Sequence, residues 1–131
     1  MPLLVPDNGE GDALGYFVNK QAPQDLVLRL YTSNTTPAEA DTAATYTELA
    51  VAGYAAITLA GANWTLTEGA PGQAAYPQQT FTLTAAATVY GYYMTRASSG
   101  RIALAERFTA APFVLPSGGG SIKITPQITA D

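Results

Sequence analysis

The chain contains no cysteine and no histidine. Disulfides, thiolate nucleophiles and zinc sites built from Cys and His are thereby excluded, and redox compartment leaves no mark on the composition. The imidazole on which most general acid–base catalysis depends is missing too. Charge is scarce: only 12% of the 131 residues are Asp, Glu, Lys or Arg, against 47% hydrophobic. Most of the polar surface must therefore come from Thr, Ser, Gln and Asn. A sparsely charged surface resists association poorly, which favours a protein that works inside an assembly. No apolar run approaches the ~18 residues of a membrane span. No charged segment followed by an apolar stretch opens the chain as a signal peptide would. Synthesis in a cytoplasm and no membrane partner are the expectations.

Basic residues are the scarcer sign, six against ten acidic, and the isoelectric point lies near 4.5. A nucleic-acid binder needs a basic stripe to displace counterions, so nucleic acid is not an expected partner. The signs are also segregated. Residues 1–68 hold eight acids and two bases, whereas residues 69–131 hold four bases and two acids. Such asymmetry can steer one subunit's acidic face toward another's basic face.

The pattern that is present is β. Gln79–Arg96 carries Phe81 and Leu83 alternating with Thr80, Thr82 and Thr84, then a run of β-branched and aromatic residues over Thr88–Thr95. Both sides of that run are packable, which predicts a central strand covered on both faces, with Gly91 marking a bulge or a close approach. Asp25–Tyr31 alternates Leu26, Leu28 and Leu30 with Val27, Arg29 and Tyr31. Further strands are read at Ala55–Leu59, around Trp64 and Leu66, at an edge-like Ala74–Tyr76, and at Arg101–Phe108, Phe113–Leu115 and Ser121–Thr125. Eight or nine short strands without a fixed repeat predict an all-β fold, a jelly-roll-like antiparallel β-sandwich. Residues 1–11 read as an extended N-terminal arm and 12–131 as one sandwich domain. Asp12 is expected to cap a short helix over Ala13–Lys20, with Leu14, Phe17 and Val18 as its inward face. Thr45–Ala52 is expected to form a helical turn around Glu48.

Chemistry is hard to assemble from what remains. A pair of carboxylates across a cleft would serve a glycoside hydrolase, yet only Glu48, Glu68 and Glu106 sit among apolar residues. Glu106, near Arg101 and Arg107, suits a structural ion pair. Asp7–Asp12 (DNGEGD) resembles a calcium loop only superficially and reads better as a turn and a helix cap. No catalytic, cofactor or metal residue is assigned, and an enzyme is not expected. Trp64 and the tyrosines are of the type that stacks on sugars, which leaves a lectin-like carbohydrate-binding module as an alternative.

Several short blocks together resemble a known group. They are Leu3–Gly11 (LLVPDNGEG), Leu28–Pro37 (LRLYTSNTTP), Glu48 with Gly53-Tyr54-Ala55, Asn63-Trp64, Tyr90-Gly91-Tyr92-Tyr93 and Glu106-Arg107-Phe108. In that order they resemble small virion proteins of tailed bacteriophages, encoded near the capsid genes. The resemblance implies a capsid decoration, or cement, protein on the outer face of the head. Its expected partners are the major capsid protein and, in a homo-oligomer, its own copies. A tail or head-fibre component is the alternative within the same group. The candidate contacts are Leu3, Leu4 and Val5 of the arm, Asn34, Thr36 and Pro37 of the polar loop 32–44, and Gly118 and Gly119 of a glycine turn.

Overall fold

The computed structural model describes residues 3–130; Met1 and Pro2 of the predicted arm, and Asp131, lie outside the described residues. The fold is an all-β sandwich of antiparallel sheets with one helix near the N-terminus. Helix α1 spans Asp7–Phe17 and strand β1 Leu26–Tyr31. Then come β2 (Ile57–Leu59), β3 (Thr65–Thr67), β4 (Gly72–Ala75), β5 (Gln79–Leu83) and β6 (Ala87–Val89). The chain ends with β7 (Gly91–Arg96), β8 (Ile102–Arg107), β9 (Phe113–Leu115), β10 (Gly120–Ile124) and β11 (Gln127–Ala130).

The main layer is a four-stranded sheet in the order β2–β1–β7–β8. Leu28 and Leu30 lie opposite Met94 and Tyr92, and Leu104 continues the Met94 row. Packed against this face are the pairs β5–β10 and β6–β9, which contribute Phe81, Leu83, Val89, Leu115, Ile122 and Ile124 to one core. Period-two alternation is what makes this possible: in β5 and β10 every second residue is buried and the Thr, Ser and Lys between them face outward. Leu28, Leu30 and Leu59 are wholly buried, each worth about 1.5–3 kcal/mol over exposure.

The other face of the main sheet is covered as well. Tyr31 and Tyr93 meet Tyr46, which follows the polar loop, with ring centroids 4.9 and 5.1 Å away. Strand β7 is thus buried along its whole length, as its two-sided apolar pattern predicts. The predicted single strand over Thr88–Thr95 is instead divided at Tyr90. Val89 belongs to β6, paired with β9, and Gly91 opens β7 in the main sheet. Gly91 sits where a Cβ would lie 2.2 Å from the Glu106 carbonyl oxygen and 2.7 Å from the Tyr31 hydroxyl, so only glycine permits that crossing.

Other expectations need correction. The helix does not begin after Asp12 but at Asp7, so the extended arm ends at Pro6 rather than at residue 11. No helical turn surrounds Glu48; that residue bridges Tyr31, extending the main sheet beside β1. A 3-10 turn lies earlier, at Ala43–Thr45. Strand β4 is central, not an edge, in a small sheet ordered β11–β4–β3. Its partner β11 is too polar for alternation to reveal.

Candidate interaction surface

Helix α1 is built inside out. Its buried positions are Gly9, Asp12 and Gly15, while Leu14 and Phe17 are 67% and 89% exposed. A helix that merely roofed a core would do the reverse. The small residues explain the arrangement. The register shift between β7 and β8 leaves Ala103 as an extra residue, and a Cβ on Gly9 would come 2.2 Å from its carbonyl oxygen. The helix axis can approach β8 only because glycine stands there, so propensity is sacrificed for contact.

What holds α1 down is ionic. The carboxylate of buried Asp12 lies 2.7 Å from Arg96 Nη1, itself buried at the end of β7, and accepts from Arg101 Nε at 3.0 Å. Arg101 Nη2 also donates to Asn8 Oδ1, and the Arg96 guanidinium lies 5.7 Å from the centre of the Tyr16 ring. Burial alone would push the Asp12 pKa up. The Arg101 hydrogen bond, the Arg96 and Arg101 charges and a bond from Gln21 outweigh it and hold the carboxyl below its ordinary 3.8.

The outward stripe of α1 does not stand alone. Beside it runs an open trough of about 620 Å³, lined by Val5, Glu10, Ala13, Leu14, Phe17 and Ala130. It adjoins a second hollow of about 440 Å³ that shares Ala130 and is lined by Leu66, Ala74 and Ile128. Those three residues form one cross-strand row on β3, β4 and β11, from half-buried Ile128 out to Leu66, which is 77% exposed. The rim is acidic: Glu10 and Glu68 border the hollows, and Asp7 is exposed in the first turn of α1. Leaving Leu14, Phe17 and Leu66 in water forgoes about 1.5–3 kcal/mol each relative to burial. Contiguous exposed apolar surface of this kind marks an interaction site.

A second, smaller patch lies on β9 and β10. Phe113 and Val114 are 46% and 65% exposed, and Phe113 shares a hollow of about 360 Å³ with Phe108, Ser121 and Lys123. Lys123 is the charged residue lining that hollow, whereas Val114 faces a separate hollow of about 450 Å³ that is also lined by Glu48.

The contacts read from the sequence fall on three different elements. Leu4 exchanges two backbone hydrogen bonds with Ala105, at 2.8 and 2.9 Å, so the arm lies along the outer edge of β8 in its own sheet. Leu3 and Val5 pack on the core beside it. Asn34 and Thr36 are exposed and Pro37 half-buried on a loop pinned at Thr35, whose carbonyl accepts from Tyr31 Oη and Arg107 Nη1. Gly118 is exposed, whereas Gly119 has φ +80° and would drive a Cβ to 2.0 Å from the Leu83 carbonyl. Leu66, Val114 and Lys123, which the sequence places in strands, are exposed without being among those contacts. The inward assignment of Leu14 and Phe17 is overturned. The Gly9–Asp12–Gly15 spacing was the available clue.

Of the three acidic residues considered for chemistry, Glu68 is exposed at the rim of a hollow, and Glu48 and Glu106 are tied into the scaffold. Glu48 takes two bonds from Arg29, at 2.9 and 3.0 Å, and one from Tyr54 Oη at 2.6 Å. Glu106 does not make the predicted ion pair. It accepts from Tyr92 Oη at 3.2 Å, while Arg101 reaches Asp12 and Arg107 stacks over Tyr90. Burial pushes the phenol of Tyr31 up to about 12, and burial with a neighbouring carboxylate raises Tyr46, Tyr54 and Tyr92 as well. All four are neutral hydrogen-bond donors at physiological pH. Trp64 packs edge-on to Tyr76 at 5.1 Å and Tyr54 stacks on Phe81, so these rings serve internal contacts. Among the described residues no cluster of three or more acidic side chains is placed to hold a metal, and no helix is long and apolar enough to cross a membrane.

Comparison with protein-family models, with curated proteins and with solved structures returned no match.

Proposed function

We propose that the chain is a non-enzymatic virion structural protein, a capsid decoration protein that binds the outer face of a phage head and reinforces it. The observation that carries this reading is the inside-out helix. Its ionic anchor holds α1 in place while Leu14 and Phe17 face solvent beside an apolar trough. That arrangement costs an isolated molecule burial energy and becomes favourable once a partner covers it. The block resemblance to small phage virion proteins supplies the class of partner, the major capsid protein together with other copies of this chain.

The mechanism is burial and multiplicity rather than chemistry. A decoration protein need not bind tightly at each contact, because copies joined to one another convert later contacts into intramolecular ones. Low surface charge suits such work, since few solvated Lys or Glu side chains must be stripped of water when the surfaces close.

The test is co-sedimentation with expanded phage capsids from which decoration protein has been stripped. Saturable binding at a fixed ratio to capsid protein, with a raised capsid melting temperature, is the expected result. Failure to bind the shell refutes the decoration role and moves the proposal to the tail or head-fibre alternative.

A further inference from the structure

We infer that the trough between α1 and β11 is the socket for strand β9 of a second copy of this chain, so that copies join head to tail and close into a ring. The inference rests on reading that face as an assembly surface, and it stands whatever the assembly sits on.

Three observations select this occupant. The trough is lined by Val5, Ala13, Leu14, Phe17 and Ala130, and its polar border is acidic, with Glu10 and Glu68 flanking the hollows. The hollow on β9 and β10 has the complementary character: Phe113, 46% exposed, projects from a short strand beside Lys123. Apolar contact in the centre with opposite charges at the rim is the composition of a specific interface. The strand edges also match. Among the described residues β9 hydrogen-bonds only to β6 and β11 only to β4, so each presents one unpaired edge.

The two surfaces are different, which fixes the kind of contact. A groove meeting a strand is heterologous, and its repetition gives a ring when the rotation closes. The charge segregation along the chain, acids in the first half and bases in the second, is the same complementarity seen in sequence. It favours approach of groove to strand over groove to groove, where Glu10 and Glu68 would face their own copies.

Light scattering and sedimentation of the full chain, with two surface variants, test this. The wild type is expected as a single closed oligomer. Phe17→Asp and Phe113→Asp alter exposed side chains, and each is expected as a folded monomer with association weakened at least about tenfold. Mixed in equal amounts they retain one good groove and one good strand between them, so a dimer forms and nothing larger. Lys123→Glu alone weakens assembly, and Glu10→Lys with Glu68→Lys in the same chain restores it. A monomeric wild type overturns the inference, as does a Phe113→Asp variant that keeps the wild-type mass. Capsid binding separates the two readings: a wild-type monomer that binds capsids overturns the ring alone, and a ring that ignores capsids overturns the decoration role alone.

Discussion

Replacing Asp12 by asparagine probes the device that fixes α1. The substitution keeps the shape of the side chain but removes the counter-charge 2.7 Å from Arg96. Arg96 is buried, and what it keeps is a bond to the Ile102 carbonyl at 2.9 Å and a longer one to Arg101. Removing one partner of a buried pair costs about 3–5 kcal/mol, because the other charge is left uncompensated. Arg101 is half-exposed and returns to water at little cost, which places the expectation near 3 kcal/mol. At this chain length that lowers Tm by roughly 10 °C. Glu48→Gln is the control. The Arg29–Glu48 pair is about one-third exposed on both sides, and such pairs are worth about 1 kcal/mol or less.

The pH dependence carries a sign. The folded-state pKa of Asp12 lies below the ordinary 3.8, so its contribution is complete above that value and is lost as pH falls through the folded pKa. Denaturant unfolding, followed by fluorescence of the single Trp64, measures the gap between wild type and Asp12→Asn at several pH values. The gap is expected to be flat from neutral pH down to about 5 and to shrink toward pH 2. A gap below about 1 kcal/mol at neutral pH refutes the buried-charge argument, and a gap undiminished in acid refutes the linkage.

Two glycine comparisons follow from the same geometry. Gly119→Ala is expected to cost about 2–3 kcal/mol, because φ is +80° and the new Cβ would meet the Leu83 carbonyl, whereas Gly118→Ala next to it meets nothing and stays within about 0.5 kcal/mol. Gly91→Ala forces a methyl between the Glu106 carbonyl and the Tyr31 ring and should cost about 3 kcal/mol in thermal or denaturant unfolding.

Much of the sandwich was legible because its strands are half-buried. In β5 and β10 the alternation of Phe81, Leu83, Ile122 and Ile124 with Thr, Ser and Lys states which face is inward. The helix departs from its pattern for a physical reason. Leu14, Phe17 and Val18 have the spacing of a core face, and periodicity reports that apolar residues share a side without saying which side is buried. Asp12 has the local pattern of a cap, since nothing nearby in sequence announces a counter-charge from Arg96, 84 residues away. The division at Tyr90 was equally hidden, because β6 and β7 are both apolar and only their partners differ.

By itself the sequence determined composition-level facts and local preference: the want of Cys and His, the thin and segregated charge, the strand periods and the glycines at which the backbone must turn or be approached. These depend on residue type and on neighbours along the chain, which pattern can express. Tertiary structure alone decided how strands pair into sheets, that the arm lies on the edge of β8, and that α1 buries Gly9, Asp12 and Gly15 while offering Leu14 and Phe17 to solvent. Those outcomes depend on charges and backbone surfaces brought together from distant parts of the chain. A buried ion pair and a glycine-mediated close approach acquire their meaning only once both partners are in place.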